Sequence, residues 1–218
     1  MPSESSQRFD TALGTTTERL IEIHADHQSG RGRRKLEALN RSMAVLMVAQ
    51  WEAYVEGLLK EAMLEVRRAL QAAPPPGQLP GLAAYDALRN KAHLAVRNLH
   101  TPKPDNIDEL YEEFLNLGLT THWRLVARRR LGENGTVEAL NPARSRAYLE
   151  QWMQIRHAIA HGSELPDYVW LGNNRHGRAL GLNNVRRGGL PFFRELVAVT
   201  DSAVSSHLAN QYGVVVNW

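Results

Sequence analysis

The chain of 218 residues contains no cysteine. This absence excludes disulfides, thiolate zinc sites, iron–sulfur clusters and cysteine nucleophiles. Long apolar runs are also missing, because the longest, from Met43 to Ala49, is far shorter than the roughly 20 residues that a membrane-spanning helix needs. The opening residues, MPSESSQRFD, lack the basic segment and apolar stretch of a secretory signal. We therefore expect a cytoplasmic protein with no membrane segment.

The chain also lacks a strong charge imbalance, but its charges are unevenly distributed. The 26 basic and 23 acidic residues give a net charge of +3 with histidine neutral. Residues 1–118 carry 14 basic and 16 acidic side chains, a net charge of −2, whereas 119–218 carry 12 and 7, a net charge of +5. An anionic partner is therefore expected at the C-terminal half. The length suits one hydrophobic core and predicts a single domain over residues 1–218.

Apolar residues recur at helical spacing along most of the chain. From Leu36 to Leu70 every third or fourth residue is apolar, which predicts one long amphipathic helix. We expect an all-α bundle of about five to seven helices including this long one. The other helices are predicted over 16–28, over 82–100, from an N-cap at Asp105 or Asn106 to about 117, over 123–131, over 142–161 and over 191–212. Residues 1–15 are expected to form a flexible N-terminus, and 163–190 a loop-rich insertion with short strands at 168–171 and 179–182.

The helix predicted over 142–161 has a clear signal at each end. Asn141-Pro142 is typical of an N-cap followed by proline in the first turn, and Gly162 is typical of the residue after the last turn. Its last turns contain Arg156, His157 and His161. The two histidines, four residues apart, lie on one helix face, and the long Arg156 side chain can reach the same place.

Arginine and histidine together suit cleavage of RNA by the neighbouring ribose hydroxyl. A histidine can remove the 2′-OH proton or protonate the leaving 5′ oxygen, and a guanidinium can neutralise the charge that grows on the phosphate. Such a site needs no metal and no cofactor. Two alternatives remain open on spacing alone: the side chains of Arg156 and His161 could merely cap the last helix carbonyls, or His157 and His161 could share a zinc ion. The sequence shows no His-Glu-x-x-His motif and no evident third zinc ligand.

Two segments of the chain carry a family resemblance. The segment from Arg156 to Gly162, RHAIAHG, resembles the signature of the HEPN superfamily, in which an arginine, a polar residue and a histidine four to six positions later form a ribonuclease site. The segment from Ala49 to Glu56, AQWEAYVE, resembles the aromatic-Glu-x-Tyr helix of the RiboL-PSP branch, which often has asparagine where this chain has His157. The similarity spans roughly residues 36–212.

The resemblance implies a homodimeric helical bundle with metal-independent endoribonuclease activity, in which Arg156 and His161 of two subunits share one cleft. It also implies a toxin or a phage-defence effector, with RNA and an antitoxin protein as partners. Arg156 would stabilise the phosphate, His161 would act as acid or base, and His157 would position or assist. Glu52 would support the site by pairing with Arg156 or His161. Ser163 stands where relatives silenced by adenylylation have tyrosine, so that form of regulation is not expected.

Further basic residues are candidates for contact with the RNA backbone. They are Arg128, Arg129, Arg130, Arg186 and Arg187, with Trp170 or Trp123 as a stacking face for bases. The alternative is an ordinary solvated face with buried tryptophans. The chain as a whole also has alternatives: a non-catalytic HEPN module that binds RNA or a protein, or a dimerisation bundle whose motif only caps a helix.

Overall fold

A computed structural model describes residues 2–26, 33–72, 79–97, 102–126, 139–174, 177–216 and 218. The chain is all-α, as predicted, with one small antiparallel pair of strands, β1 (Gly172–Asn174) and β2 (Gly177–Ala179). The α-helices of the described segments are α1 (Glu4–Ala12), α2 (Arg19–Asp26), α3 (Arg33–Ala72), α4 (Leu79–Arg97), α5 (Pro104–Leu115), α6 (Pro142–Ala160) and α7 (Leu190–Tyr212). Within the segments the structure describes, no helix is both long and apolar enough to cross a membrane.

Helix α3 is the axis of the bundle. It has 40 residues, and α1, α4, α6 and α7 all pack against it. Its buried face contains Met43, Met47, Trp51, Tyr54 and Leu58, each at most 2% exposed and spaced three or four residues apart. These are the residues whose spacing predicts the long helix, so that prediction is confirmed.

The helices α3, α6 and α7 meet at a group of aromatic side chains. The Trp51 ring centroid lies 5.8 Å from that of Trp123 and 6.3 Å from that of Phe193, which in turn lies 6.1 Å from Trp152. Each aromatic pair of this kind contributes about 1 kcal/mol beyond the burial of its area. A Cβ at Gly189 would come within 2.7 Å of Trp152, so only glycine allows this approach. The packing fixes α6 against α3, which is what positions the motif at the end of α6.

The N-terminal segment differs from the flexible tail expected over residues 1–15. Helix α1 starts after Ser3, whose Oγ accepts a hydrogen bond from the Ser6 amide at 3.0 Å, and a π-helical turn (Leu13–Glu18) joins it to α2. Phe9 and Leu13 are buried against the bundle. A polar composition suggests mobility, but two apolar residues and the contacts of Ser3 hold the segment in place.

Two other local predictions need correction. The helix predicted over 123–131 is wrong in its described part, because Leu125 exchanges backbone hydrogen bonds of 3.0 and 2.7 Å with Leu140 in a β-bridge. Residues 127–131 lie outside the described residues. The predicted capping of α5 by Asp105 or Asn106 is also wrong, since the helix begins at Pro104 and Lys103 is its N-cap.

The strands predicted at 168–171 and 179–182 lie elsewhere in the structure, at 172–174 and 177–179. Tyr168 and Trp170 belong instead to the preceding loop, where they hydrogen-bond to glutamines of α6. Packing against α6, rather than local strand propensity, decides their conformation.

Candidate functional site

Both ends of α6 are fixed by the residues that predict them. At the N-terminus the Asn141 side chain accepts a hydrogen bond from the Arg144 amide at 2.9 Å, and Pro142 follows in the first turn. At the C-terminus Gly162 has φ of +65°, and the Ser163 amide donates to the carbonyl of Ala158 at 2.9 Å. This Schellman ending satisfies carbonyls of the last turn. His161 is the C-cap, so the predicted helix bounds are correct to within one residue.

The two histidines of the motif lie together at this helix end. The ring centroids of His157 and His161 are 4.2 Å apart, with a 48° angle between the ring planes. Both residues are exposed. A substrate or a second protein can therefore reach both imidazoles directly.

Arg156 points toward α3 and contacts Glu52. Its Nη2 lies 3.5 Å from Glu52 Oε2, the side chain of Arg156 is 31% exposed and that of Glu52 is 19% exposed. The contact is long for a charge-assisted hydrogen bond, and it engages one of the five N–H donors of the guanidinium. Arg156 is therefore tethered by an acid while much of its hydrogen-bonding capacity is left for an anion.

The environment of Glu52 is unfavourable to its charged form. Burial raises the pKa of the Glu52 carboxyl, and the nearby Arg156 guanidinium only partly opposes this increase. Its Oε1 is buried and has no hydrogen-bond partner among the described residues. A partly buried acid with a raised pKa beside an arginine is a candidate functional residue.

The family of the chain follows from its sequence as a whole. The family model RiboL-PSP-HEPN matches residues 15–206. The chain belongs to this family. HEPN domains are in general ribonucleases or RNA-binding modules, so the end of α6 and its Glu52 contact form the candidate site of this RiboL-PSP-HEPN domain. No curated protein and no solved structure is significantly similar to the chain.

The basic residues suggested for RNA contact are only partly placed by the structure. Arg186 and Arg187 are exposed in a π-helical turn (Asn184–Gly189) that leads into α7. Arg128, Arg129 and Arg130 lie outside the described residues. Of the two tryptophans suggested for stacking, Trp123 is fully buried and its Nε1 donates to Thr200 Oγ1 at 3.0 Å, so it cannot offer a free face.

A polar and aromatic group beside the motif is only partly evident from the sequence, which suggests Trp170 as a stacking face but not Tyr168 or the glutamines that hold both rings. Tyr168 hydrogen-bonds to Gln154, and the Trp170 Nε1 donates to Gln151 Oε1 at 2.7 Å. Both glutamines belong to α6, one to three turns before the histidines. The only signal in the sequence is the Tyr-Val-Trp order soon after the motif, which also suits a strand.

The structure also bears on the zinc alternative. In the part of the chain that is described, no three histidine, aspartate or glutamate side chains come together as ligands for a metal ion. Structural zinc sites have four protein ligands, and catalytic sites have three. The pair of His157 and His161 therefore has no described partners with which to complete such a site.

Proposed function

We propose that this RiboL-PSP-HEPN chain is an endoribonuclease that cleaves RNA without a metal or other cofactor. The observation that carries the proposal is one arginine, Arg156, held by Glu52 at a helix end beside two exposed histidines. Each of these groups matches one requirement of attack by a ribose 2′-OH on the adjacent phosphodiester.

In the proposed reaction one imidazole accepts the proton of the 2′-OH, and the 2′ oxygen forms a bond to phosphorus. The bond from phosphorus to the 5′ oxygen breaks, and a second, protonated imidazole donates a proton to that oxygen. The products are a 2′,3′-cyclic phosphate and a 5′-OH end. Arg156 binds the phosphate oxygens whose negative charge grows in the transition state, while His161 serves as acid or base and His157 positions or assists.

We further propose that the active form is a homodimer in the cytoplasm. His161 is exposed and Arg156 is partly exposed on one chain, where the corresponding residues of a second copy can complete an acid and base pair. A toxin or phage-defence role, held in check by an antitoxin protein, is consistent with such an RNA-cleaving activity. Arg186 and Arg187, with the exposed basic residues of the C-terminal half, would bind the RNA backbone.

The deciding experiment is RNA cleavage by purified protein in the presence of a chelator. We expect Arg156→Ala and His161→Ala to slow cleavage by about 100-fold or more, because each removes a group that acts on the transition state. Arg8→Ala and His122→Ala are matched controls, since both residues are exposed and lie on other elements. Equal cleavage by wild type and Arg156→Ala would contradict the proposal.

The same experiment distinguishes the proposed ribonuclease from the second candidate function, a non-catalytic RNA-binding module. That function is favoured by the exposed positions of both histidines and by the net charge of +5 over residues 119–218. It predicts salt-dependent RNA binding that Arg156→Ala weakens, with no cyclic phosphate formed by the wild type.

A further inference from the structure

Directly after the motif, the chain folds back and places two aromatic rings on α6. The rings of Tyr168 and Trp170 are stacked, with centroids 6.1 Å apart and an angle of 5° between their planes. Trp170 is the inner ring, because it also contacts Trp152 at 5.3 Å and Tyr148 at 5.6 Å. Tyr168 is the outer ring and is half-buried, so the stack ends at the surface of the protein.

Hydrogen bonds fix this pair of rings in place. The Tyr168 hydroxyl bonds to Gln154, and the Trp170 Nε1 donates to Gln151 Oε1 at 2.7 Å. The Trp170 carbonyl accepts a hydrogen bond from Asn184 Nδ2 at 2.7 Å. A ligand that stacks on such a pre-formed surface loses little conformational entropy by ordering it.

The position of the pair relates it to the candidate site. Gln154, which holds Tyr168, precedes His157 by three residues and His161 by seven on the same helix. These separations correspond to about 5 and about 10 Å along the axis, on nearly the same helix face. A nucleotide that flanks a phosphate bound at His157 and His161 can therefore reach the Tyr168 ring.

We propose that Tyr168, backed by Trp170, is a stacking platform for a nucleobase of single-stranded RNA next to the cleaved phosphate. The inference rests on the proposed function and names the form of RNA that the site takes. Stacking on an aromatic ring is open to every base, so the platform selects unpaired RNA over duplex rather than one sequence.

The surroundings of the platform are consistent with a base rather than a phosphate as its ligand. The exposed acid beside the rings, Asp167, is paired with Arg178. Burial and the negative charge of Glu150 raise the pKa of Tyr168, so its ring carries a neutral hydroxyl in neutral solution.

The test measures binding of a short single-stranded RNA that has 2′-fluoro groups and therefore cannot be cleaved by its own ribose. We expect Tyr168→Ala to weaken binding by about 10-fold, which is within the range of base stacking on aromatic residues. Tyr168→Phe keeps the ring and should bind within about two-fold of wild type. Val169→Ala is the matched control and should bind as the wild type does. Binding of a fully paired 2′-fluoro RNA duplex should not respond to Tyr168→Ala.

The possible failures of this proposal and of the cleavage proposal are distinguishable. If wild type cleaves RNA but Tyr168→Ala, shown to be folded by circular dichroism, binds the single strand as tightly as wild type, the platform is disproved and the cleavage site stands. If wild type binds the single strand through Tyr168 but never forms cyclic phosphate, the platform stands and cleavage is disproved. An equal loss of duplex and single-strand binding in Tyr168→Ala would also overturn the platform, since it would show a general effect.

Discussion

Two carboxylates near the middle of α3, Asp201 packed onto it from α7 and Glu52 on α3 itself, have opposite surroundings. Asp201 of α7 is 7% exposed and accepts three hydrogen bonds, from the Ser3 amide at 2.8 Å, the Ser3 hydroxyl at 2.7 Å and the Tyr54 hydroxyl at 2.9 Å. Glu52 has one contact of 3.5 Å, to Arg156, and a buried oxygen that lacks a partner among the described residues.

The difference in hydrogen bonding distinguishes a buried carboxylate that stabilises the fold from one whose burial is unfavourable. A buried carboxylate is stable when hydrogen-bond donors replace the water that it loses, and Asp201 meets that condition. Glu52 does not meet it, so its burial carries a cost in stability. Such a cost is expected where a residue is kept for what it does to a neighbour, here the position and charge of Arg156.

The largest expected effect is on stability, in Asp201→Ala. We expect the free energy of unfolding to fall by about 3 kcal/mol, because the variant leaves the amide and hydroxyl donors of Ser3 buried without their acceptor. The Tyr54 hydroxyl keeps the Val197 carbonyl as an acceptor at 3.0 Å. Urea denaturation followed by tryptophan fluorescence measures it. Ser202→Ala, the exposed next residue of α7, is the control and should change little. A loss of less than about 1 kcal/mol would mean that the network of Asp201 is not what anchors α1.

Most of the fold could be predicted because its signals are local. The spacing of apolar residues identified α3, and Asn141, Pro142 and Gly162 identified both ends of α6. The order of α1 could not be predicted, since it depends on Ser3 meeting Asp201, which is 198 positions away. Local periodicity carries no information about such a contact.

In the candidate site, too, contacts between residues close in sequence could be predicted and long-range contacts could not. His157 and His161 are four residues apart in sequence, so helix geometry alone places their rings together. The contact of Glu52 with Arg156 joins residues 104 positions apart and was expected only from the family resemblance. Tyr168 and Trp170 are predicted in a strand but lie in a loop. The local sequence does not reveal their hydrogen bonds to the glutamines of α6.

The second-largest expected effect is on the rate of RNA cleavage, in the variant Glu52→Gln. If Glu52 orients Arg156 by its charge, the neutral amide of the same shape should lower kcat by about 10-fold, with a smaller change in KM. The free energy of unfolding of Glu52→Gln should equal or exceed that of the wild type, whereas that of Asp201→Ala should fall. Glu56→Gln, one turn later on α3 and paired with Lys60, is the matched control and should keep full activity. If Glu52→Gln lost stability and kept its kcat, the contrast between the two carboxylates would be reversed.

The smallest effect is the pH dependence that Glu52 gives to stability. Because burial raises the pKa of Glu52 in the folded chain, the native state holds this proton more tightly than the unfolded state does. Stability from Glu52 is therefore present below the unfolded pKa, near pH 4, and is lost as the pH rises through the raised folded value. Urea denaturation at several pH values should show the free energy of unfolding of Glu52→Gln increasing relative to wild type as the pH rises over this interval. A difference that stays constant or shrinks would show that Arg156 fully compensates the buried charge, and that Glu52 is as well satisfied as Asp201.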